Sequence, residues 1–226
     1  MRPVLNFIAK ILSYLTDVQV DAASTALNPA LNLSLRKGRY YLTTTNAVYS
    51  FGDLYDNFSK TFQKIDLDKH KFNNILVLGF AMGSVPYMLE KVFGQKFKCT
   101  GVELDPKIVE WAKRYTIPAL SNRVELVHAD AMDFLRENQE KFDLIVVDLF
   151  LDDLVPEQFE TSYFLEKIAH SLSQYGLLLF NRLSDTPAAM SLTQGFFVEK
   201  FKTVFPEGKY LDVGGNWMLA NWEAWA

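Results

Sequence analysis

Cysteine is nearly absent: Cys99 is the only one in 226 residues. An internal disulfide is excluded, and a reducing, cytoplasmic compartment is the expectation. Histidine is almost as scarce, and His70, His128 and His170 stand at no ligand-like spacing, so no zinc or other metal site is expected. Positive charge is not in excess, with 23 Lys+Arg against 27 Asp+Glu and a net charge of −4. Such a balance supplies no basic field and argues against nucleic acid as a partner. Long apolar runs are missing as well. The stretch from Val4 to Leu12 is interrupted by Asn6 and Lys10, and no small-x-small cleavage site follows Leu15. It falls short of the roughly 20 apolar residues a spanning helix needs. Leu5, Ile8, Leu12 and Leu15 recur at helical spacing, so a short amphipathic helix is expected here, with no membrane partner.

What is present is the composition of a globular protein, 49% apolar and 22% charged. At roughly 150 residues per domain, the length suits one domain with a small appendage. Residues 1–70 read as that appendage, a helix and β-hairpin unit. Ala22 to Pro29 reads as a loop, and Leu31 to Leu35 alternates apolar and polar. Lys37-Gly38 supplies a turn and Tyr40 to Thr44 the returning strand of a hairpin. Leu54, Tyr55, Phe58 and Phe62 mark a helix face, with Ser50 or Asp53 as its cap.

Residues 71–226 read as a second unit, in which strands and helices alternate. Strands are expected at Ile75–Leu78, Lys98–Val102, Val124–Val127, Leu144–Val147 and Gly176–Phe180. Helices are expected at Val85–Phe93, Pro106–Tyr115, Met132–Arg136, Glu157–Leu172 and Ala188–Phe201. Two tail strands flank Gly214-Gly215-Asn216, an antiparallel hairpin signature. Repeated βα units give an α/β fold, a doubly wound and mostly parallel sheet with helices on both faces.

Ligands of such sheets bind outside the carboxyl ends of the strands. Gly79-Phe80-Ala81-Met82-Gly83-Ser84 follows the first central strand, and its small residues let backbone approach a ligand at a helix start. Glu103, beside Leu104, ends the second strand 24 positions after Gly79, where a carboxylate can accept ribose hydroxyls. Asp105 before Pro106 reads instead as a helix cap. Asp130, beside Ala131, ends the third strand, either meeting an adenine amino group or capping the next helix. Asp148 ends the fourth, with Asp152 and Asp153 close behind and no helix starting at once. One glycine-rich turn is a weak signal, because many serve packing alone. Four strand ends carrying such residues together indicate a nucleoside site.

Ile75-Leu76-Val77-Leu78-Gly79-Phe80-Ala81-Met82-Gly83-Ser84, Gly101-Val102-Glu103-Leu104-Asp105-Pro106, His128-Ala129-Asp130-Ala131 and Asp143-Leu144-Ile145-Val146-Val147-Asp148 resemble the four ligand loops of class I S-adenosylmethionine-dependent methyltransferases. Within that superfamily they are most similar to spermidine synthases, the aminopropyltransferases. The resemblance runs from about residue 30 to 220 and takes in Gly38 to Leu42 and Tyr49 to Tyr55. It implies a seven-stranded Rossmann-like sheet with an antiparallel last strand. It further implies S-adenosylmethionine, or its decarboxylated form, as the bound donor. Gly79, Ala81, Met82, Gly83, Glu103, Leu104, Asp130 and Ala131 would then hold the donor, with Asp148 and Asp152 catalytic.

The chain departs from the family where the polyamine is handled. Met82 replaces the aspartate of the family's Gly-Gly-Gly-Asp-Gly-Gly loop, and cannot accept from an ammonium group. Asp152 is displaced by one position from the second aspartate of Asp-Ser-Ser/Thr-Asp-Pro. Tyr49-Ser50-Phe51-Gly52-Asp53 replaces the acidic and tyrosine signature ahead of the first strand. The expectation is therefore a transferase acting on a small-molecule, amine-type acceptor, with methyl transfer the main reading and efficient spermidine synthesis not expected. Aminopropyl transfer and a non-catalytic adenosyl-binding module are the alternatives. A nicotinamide oxidoreductase fits less well, since Gly-x-Gly-x-x-Gly spacing is missing. Trp217, Trp222 and Trp225 crowd the tail and read as core or as contacts of a possible homodimer.

Overall fold

The computed structural model describes residues 3–152, 154–222 and 224, so Asp153 and Trp225 lie outside the described residues. Helix α1 (Pro3–Leu12) leads into an antiparallel sheet of four strands in the order β1 (Val18–Ala23), β2 (Leu31–Arg36), β3 (Arg39–Thr43), β4 (Val48–Ser50). The expected hairpin is β2–β3, with Leu33 opposite Leu42 and the turn at Lys37-Gly38. Strand β1 covers part of the stretch read as a loop, and β4 was not expected at all. Strand β4 has only three residues, and its pairing with β3 rather than its own pattern makes it a strand. Helix α2 (Asp56–Lys64) starts later than expected. Ser50 Oγ is 2.6 Å from Ser84 Oγ and Asp53 pairs with Arg39, so neither caps it.

The second sheet has seven strands, taken here in chain order: β5 (Asn74–Leu78), β6 (Lys98–Glu103), β7 (Arg123–His128), β8 (Phe142–Val147), β9 (Leu172–Leu183), β10 (Lys209–Asp212) and β11 (Asn216–Ala220). Their spatial order is β7-β6-β5-β8-β9-β11-β10. Strands β5 to β9 are mutually parallel, and β11 runs antiparallel between β9 and β10. This is the doubly wound, mostly parallel α/β sheet with its antiparallel last strand. Helices α3 (Ser84–Tyr87), α4 (Pro106–Trp111), α5 (Ala131–Glu137), α6 (Ser162–Ser171), α7 (Pro187–Phe196) and α8 (Lys202–Val204) complete the α/β layers. The single helix expected over Glu157 to Leu172 is divided. A 3-10 turn at Glu157–Glu160 comes first, and Thr161 then caps α6 by accepting from Phe164 N.

The two central strands explain why the core has two sides. Ile75 and Val77 with Leu144 and Val146 belong to one buried cluster, and Leu76 and Leu78 with Ile145 and Val147 to the other. A strand apolar at every position fits only where helices cover both faces. Leu31, Leu33 and Leu42 of the first sheet join Phe58 and Phe62 of α2 in the first cluster, which seats that sheet beside the carboxyl ends of β5 and β8. Among the described residues no helix is long and apolar enough to cross a membrane.

Candidate active site

Strand order reverses at β5, with β6 on one side and β8 on the other, and the chain opens there into a cavity of about 510 Å³. Gly79 leaves β5 at φ +82°, and a Cβ at that position would lie 2.1 Å from the Asp148 carbonyl oxygen. Only glycine fits. The amides of Gly79 and Phe80 donate to Val102 O at 3.0 and 3.1 Å. Ala81, at φ +47°, donates its N–H to Glu103 Oε2 at 2.9 Å, and Asp105 N donates to Glu103 Oε1 at 3.0 Å. Burial raises the Glu103 pKa, and these backbone donors oppose the rise.

Gly79, Ala81, Glu103, Leu104, Asp130 and Ala131 all line the cavity. Met82 and Gly83 do not. Met82 is buried in the first core cluster, and Gly83, at φ +74°, turns the chain into α3 against the Phe80 ring. Asp130 caps α5, its Oδ1 accepting from Met132 N at 2.7 Å, while Oδ2 accepts from Gln158 Nε2 at 3.0 Å. Asp105 is the expected cap of α4 and also accepts from Thr25 Oγ1 and Asn28 Nδ2, at 2.6 and 2.8 Å.

Asp148 sits across β5 from Glu103. Tyr55 Oη donates to its Oδ2 at 3.1 Å and Asn181 Nδ2 to its Oδ1 at 2.8 Å. Asn181 is oriented in turn, because its Oδ1 accepts from Asn216 Nδ2 at 2.9 Å. Burial pushes the Asp148 carboxyl up to about 6, against the lowering effect of these two donors. Burial and the same carboxylate hold Tyr55 well above its ordinary value, so it stays a donor. From sequence, Tyr55 reads only as a helix-face residue and Asn216 only as part of a hairpin turn, and Asn181 is not singled out. Asn181 carried a signal, since it follows the apolar run Leu177 to Phe180 as Asp148 follows its own.

Asp152 lines the same cavity with its carboxylate already engaged. It accepts from Thr44 Oγ1 and from Asn46 through both N and Nδ2, and the Thr44 bond lowers its pKa. Its backbone is left-handed, φ +56°, and its N–H donates to Tyr49 Oη at 2.6 Å. Among the described residues lining the cavity there is no Lys, Arg or His, whereas Asp56, Glu103, Asp105, Asp130, Asp148, Asp152 and Asp185 all reach it.

The family model of the spermine/spermidine synthase domain matches residues 62–210. The chain belongs to that family. The polyamine aminopropyltransferase of Vibrio vulnificus (strain CMCP6) is 30% identical over 117 residues, covering 50% of this chain and 39% of that protein. The chain thus matches well under half the length of that aminopropyltransferase. A probable spermidine synthase from Corynebacterium glutamicum superimposes with a TM-score of 0.69 at 18% identity, over 89% of this chain and 78% of the other. Human methyltransferase-like protein 13, in complex with SAH, gives 0.55 at 24% identity, over 66% of this chain and 70% of the other. Both structural likenesses are of fold. The methyl-transfer reading therefore finds support in architecture alone, while the curated relative and the family model point to the aminopropyltransferases.

Proposed function

We propose that this chain transfers the aminopropyl group of decarboxylated S-adenosylmethionine to an amine, with Asp148 as the base. The observation that carries the reading is that every charged residue among those described as lining the cavity around Asp148 is acidic. S-adenosylmethionine itself bears an α-carboxylate, which would face like charge there without a cationic partner. The amides of the first loop offer it little, because Gly79, Phe80, Ala81 and Gly83 N–H groups are all engaged within the protein. A donor ending in an ammonium suits the same surroundings.

The residues fit such a donor. Glu103 keeps lone pairs for ribose hydroxyls, and Asp130 with Gln158 lies over the adenine end. Met82, buried behind the loop, contributes packing, and Asp152 fixes the loop after β8. Bound there, the donor supplies a carbon made electrophilic by its sulfonium neighbour. The acceptor nitrogen forms the new C–N bond as the C–S bond breaks, its electron pair staying on sulfur to give methylthioadenosine. Asp148 takes the proton the nitrogen sheds, and Tyr55 and Asn181 hold the carboxylate in place for it. A base titrating near 6 is ionised at neutral pH and still basic enough to act.

Incubating the full chain with an amine panel and each donor separately tests this. Methylthioadenosine from the decarboxylated donor is the expected product. Adenosylhomocysteine from S-adenosylmethionine, with no methylthioadenosine, would establish methyl transfer. Tight binding of either product without turnover would favour the binding module.

A further inference from the structure

We infer that Asn216 is a positioning residue for the reaction: its amide holds the Asn181 NH₂ group toward Asp148 and so keeps that carboxyl an acceptor; this rests on the assignment of Asp148 as the base. The alternation of three neighbouring strands brings the side chains together. Leu144 and Val146 of β8, Leu177 and Leu179 of β9, and Met218 and Ala220 of β11 all belong to the first buried cluster. Successive side chains point to opposite faces, so Asp148, Asn181 and Asn216 continue that one face at the cavity end of each strand. Register places Met218 opposite Asn181 and Asn216 opposite Leu183, which makes the two asparagines diagonal neighbours. The chain enters β11 through Gly214 and Gly215, at φ +83° and +89°. Gly215 O accepts from Ser184 N at 2.8 Å and Asn216 O from Val213 N at 3.0 Å, so the Asn216 backbone is fixed against the end of β9.

Two amides are costly in this place. Asn181 is 1% exposed and Asn216 7%, and apolar residues of similar shape would spare the desolvation of both. Packing alone does not account for the pair.

What the pair supplies is direction. An asparagine amide is nearly symmetric in shape, and Asn181 turned over would present Oδ1 to Asp148 instead of Nδ2. An NH₂ group there favours the ionised carboxyl, a carbonyl the protonated one. Tyr55 serves either form, because a hydroxyl both donates and accepts. Asn216 Nδ2, 2.9 Å from Asn181 Oδ1, decides between them, since Asn181 turned over would set two NH₂ groups face to face. Among the described residues, the other ionisable groups lining the cavity are Tyr41 and Tyr49 of the first sheet, Tyr55, and the six further carboxylates placed there above. A change at Asn216 leaves all of them in place, so differences between variants report the amide pair.

The test reads Asp148 directly by NMR titration of the full chain carrying carbon-13 at its aspartate carboxyls, the resonance being identified by its loss in Asp148→Asn. Asn216→Leu removes the donor, and Asn216→Asp keeps the shape but substitutes an acceptor that claims the Asn181 NH₂ group. Asp148 should titrate higher than in the unaltered chain, by about half a pH unit or more in Asn216→Leu and further in Asn216→Asp. On an Asn181→Leu background both displacements should shrink by at least half. Titration at the unaltered pH in whichever of the two variants folds, or displacements undiminished without Asn181, would overturn the inference and leave Asn216 a packing residue. None of these readings needs turnover, so the base assignment is tested apart from them. With the decarboxylated donor and the amine panel, the rise of kcat with pH should be displaced in Asn216→Leu as the titration is. A displaced titration with no methylthioadenosine formed from any amine would support the orienting role of Asn216 and refute aminopropyl transfer. A displaced titration with an unmoved kcat profile would refute Asp148 as the base, and with it the part of Asn216 in the reaction.

Discussion

Asp148→Asn separates a reacting carboxylate from a structural one more cleanly than other changes. The substitution keeps shape. Its amide oxygen can still accept from Asn181 Nδ2, which Asn216 holds in one orientation, and its NH₂ can donate to Tyr55 Oη after the hydroxyl rotates. What it removes is an enclosed charge. Raising the carboxyl from 3.8 to about 6, at roughly 1.4 kcal/mol per pH unit, corresponds to about 3 kcal/mol, an upper bound because the cavity opens to water. The sign follows from proton binding, since the folded state holds this proton more tightly than the unfolded state. Its contribution is present in full below about pH 4 and is lost as pH rises through about 6. Urea unfolding from pH 4 to 8 should therefore show the parent losing stability relative to Asp148→Asn across that window, leaving the variant the more stable by up to about 3 kcal/mol at pH 8. Turnover should fall by about 10²–10⁴-fold with methylthioadenosine affinity unchanged. In the parent, kcat should rise with pH through about 6 as the base ionises. Parallel stability curves, or a variant that turns over normally, would refute the reasoning and return Asp148 to a purely structural role.

Glu103→Ala should weaken methylthioadenosine binding by about 1.5–3 kcal/mol, the scale of a charged hydrogen bond, while circular dichroism shows the fold retained. Gly79→Ala forces a Cβ into the Asp148 carbonyl at a left-handed position and should lower the unfolding free energy, read from urea titration, by at least the roughly 1–3 kcal/mol such strain costs. Asp152→Ala removes the anchor of the loop after β8 and should raise KM for the amine several-fold with kcat within about threefold, in contrast to Asp148→Asn. Steady-state kinetics on both variants checks this, and a large fall in kcat for Asp152→Ala would make it a reacting residue after all.

The site was legible where one rule of α/β sheets operates locally. Strands β5 and β8 are apolar at every buried position, so the first polar or glycine residue past each, Asp148 and Gly79, stands out in the sequence alone. Glu103 stood out because Asp105 already accounts for the helix cap. The partners of Asp148 were not legible, since Tyr55 lies 93 positions away and looks like any aromatic on a helix face. Asp152 shows the same limit from the other direction. The resemblance implies a catalytic role for Asp152, but the residues that engage its carboxylate, Thr44 and Asn46, lie more than a hundred positions earlier. Ser50 and Asp53 are good caps by residue type, yet Ser84 and Arg39 hold them away from the helix end. In each case a contact distant in sequence overrode a local preference.

The first sheet does more than cover the cavity. Asp105, after β6, accepts from Asn28 Nδ2 at 2.8 Å, and Asn28 Oδ1 accepts from Tyr49 Oη at 2.9 Å. Tyr49 Oη in turn accepts from Asp152 N at 2.6 Å. Burial pushes the Tyr49 hydroxyl up to about 12, so it stays neutral and can donate and accept at once. The loops after β6 and β8 lie on opposite sides of β5 and do not meet within the second sheet, yet this chain of bonds joins them through the first. In the proposed reaction, a donor at Glu103 and an acceptor at Asp148 would thus meet across a frame that the first sheet completes. Tyr49 of β4, a strand that local pattern reading missed, and Asn28 of the loop before β2 are the residues that link the two halves of the site.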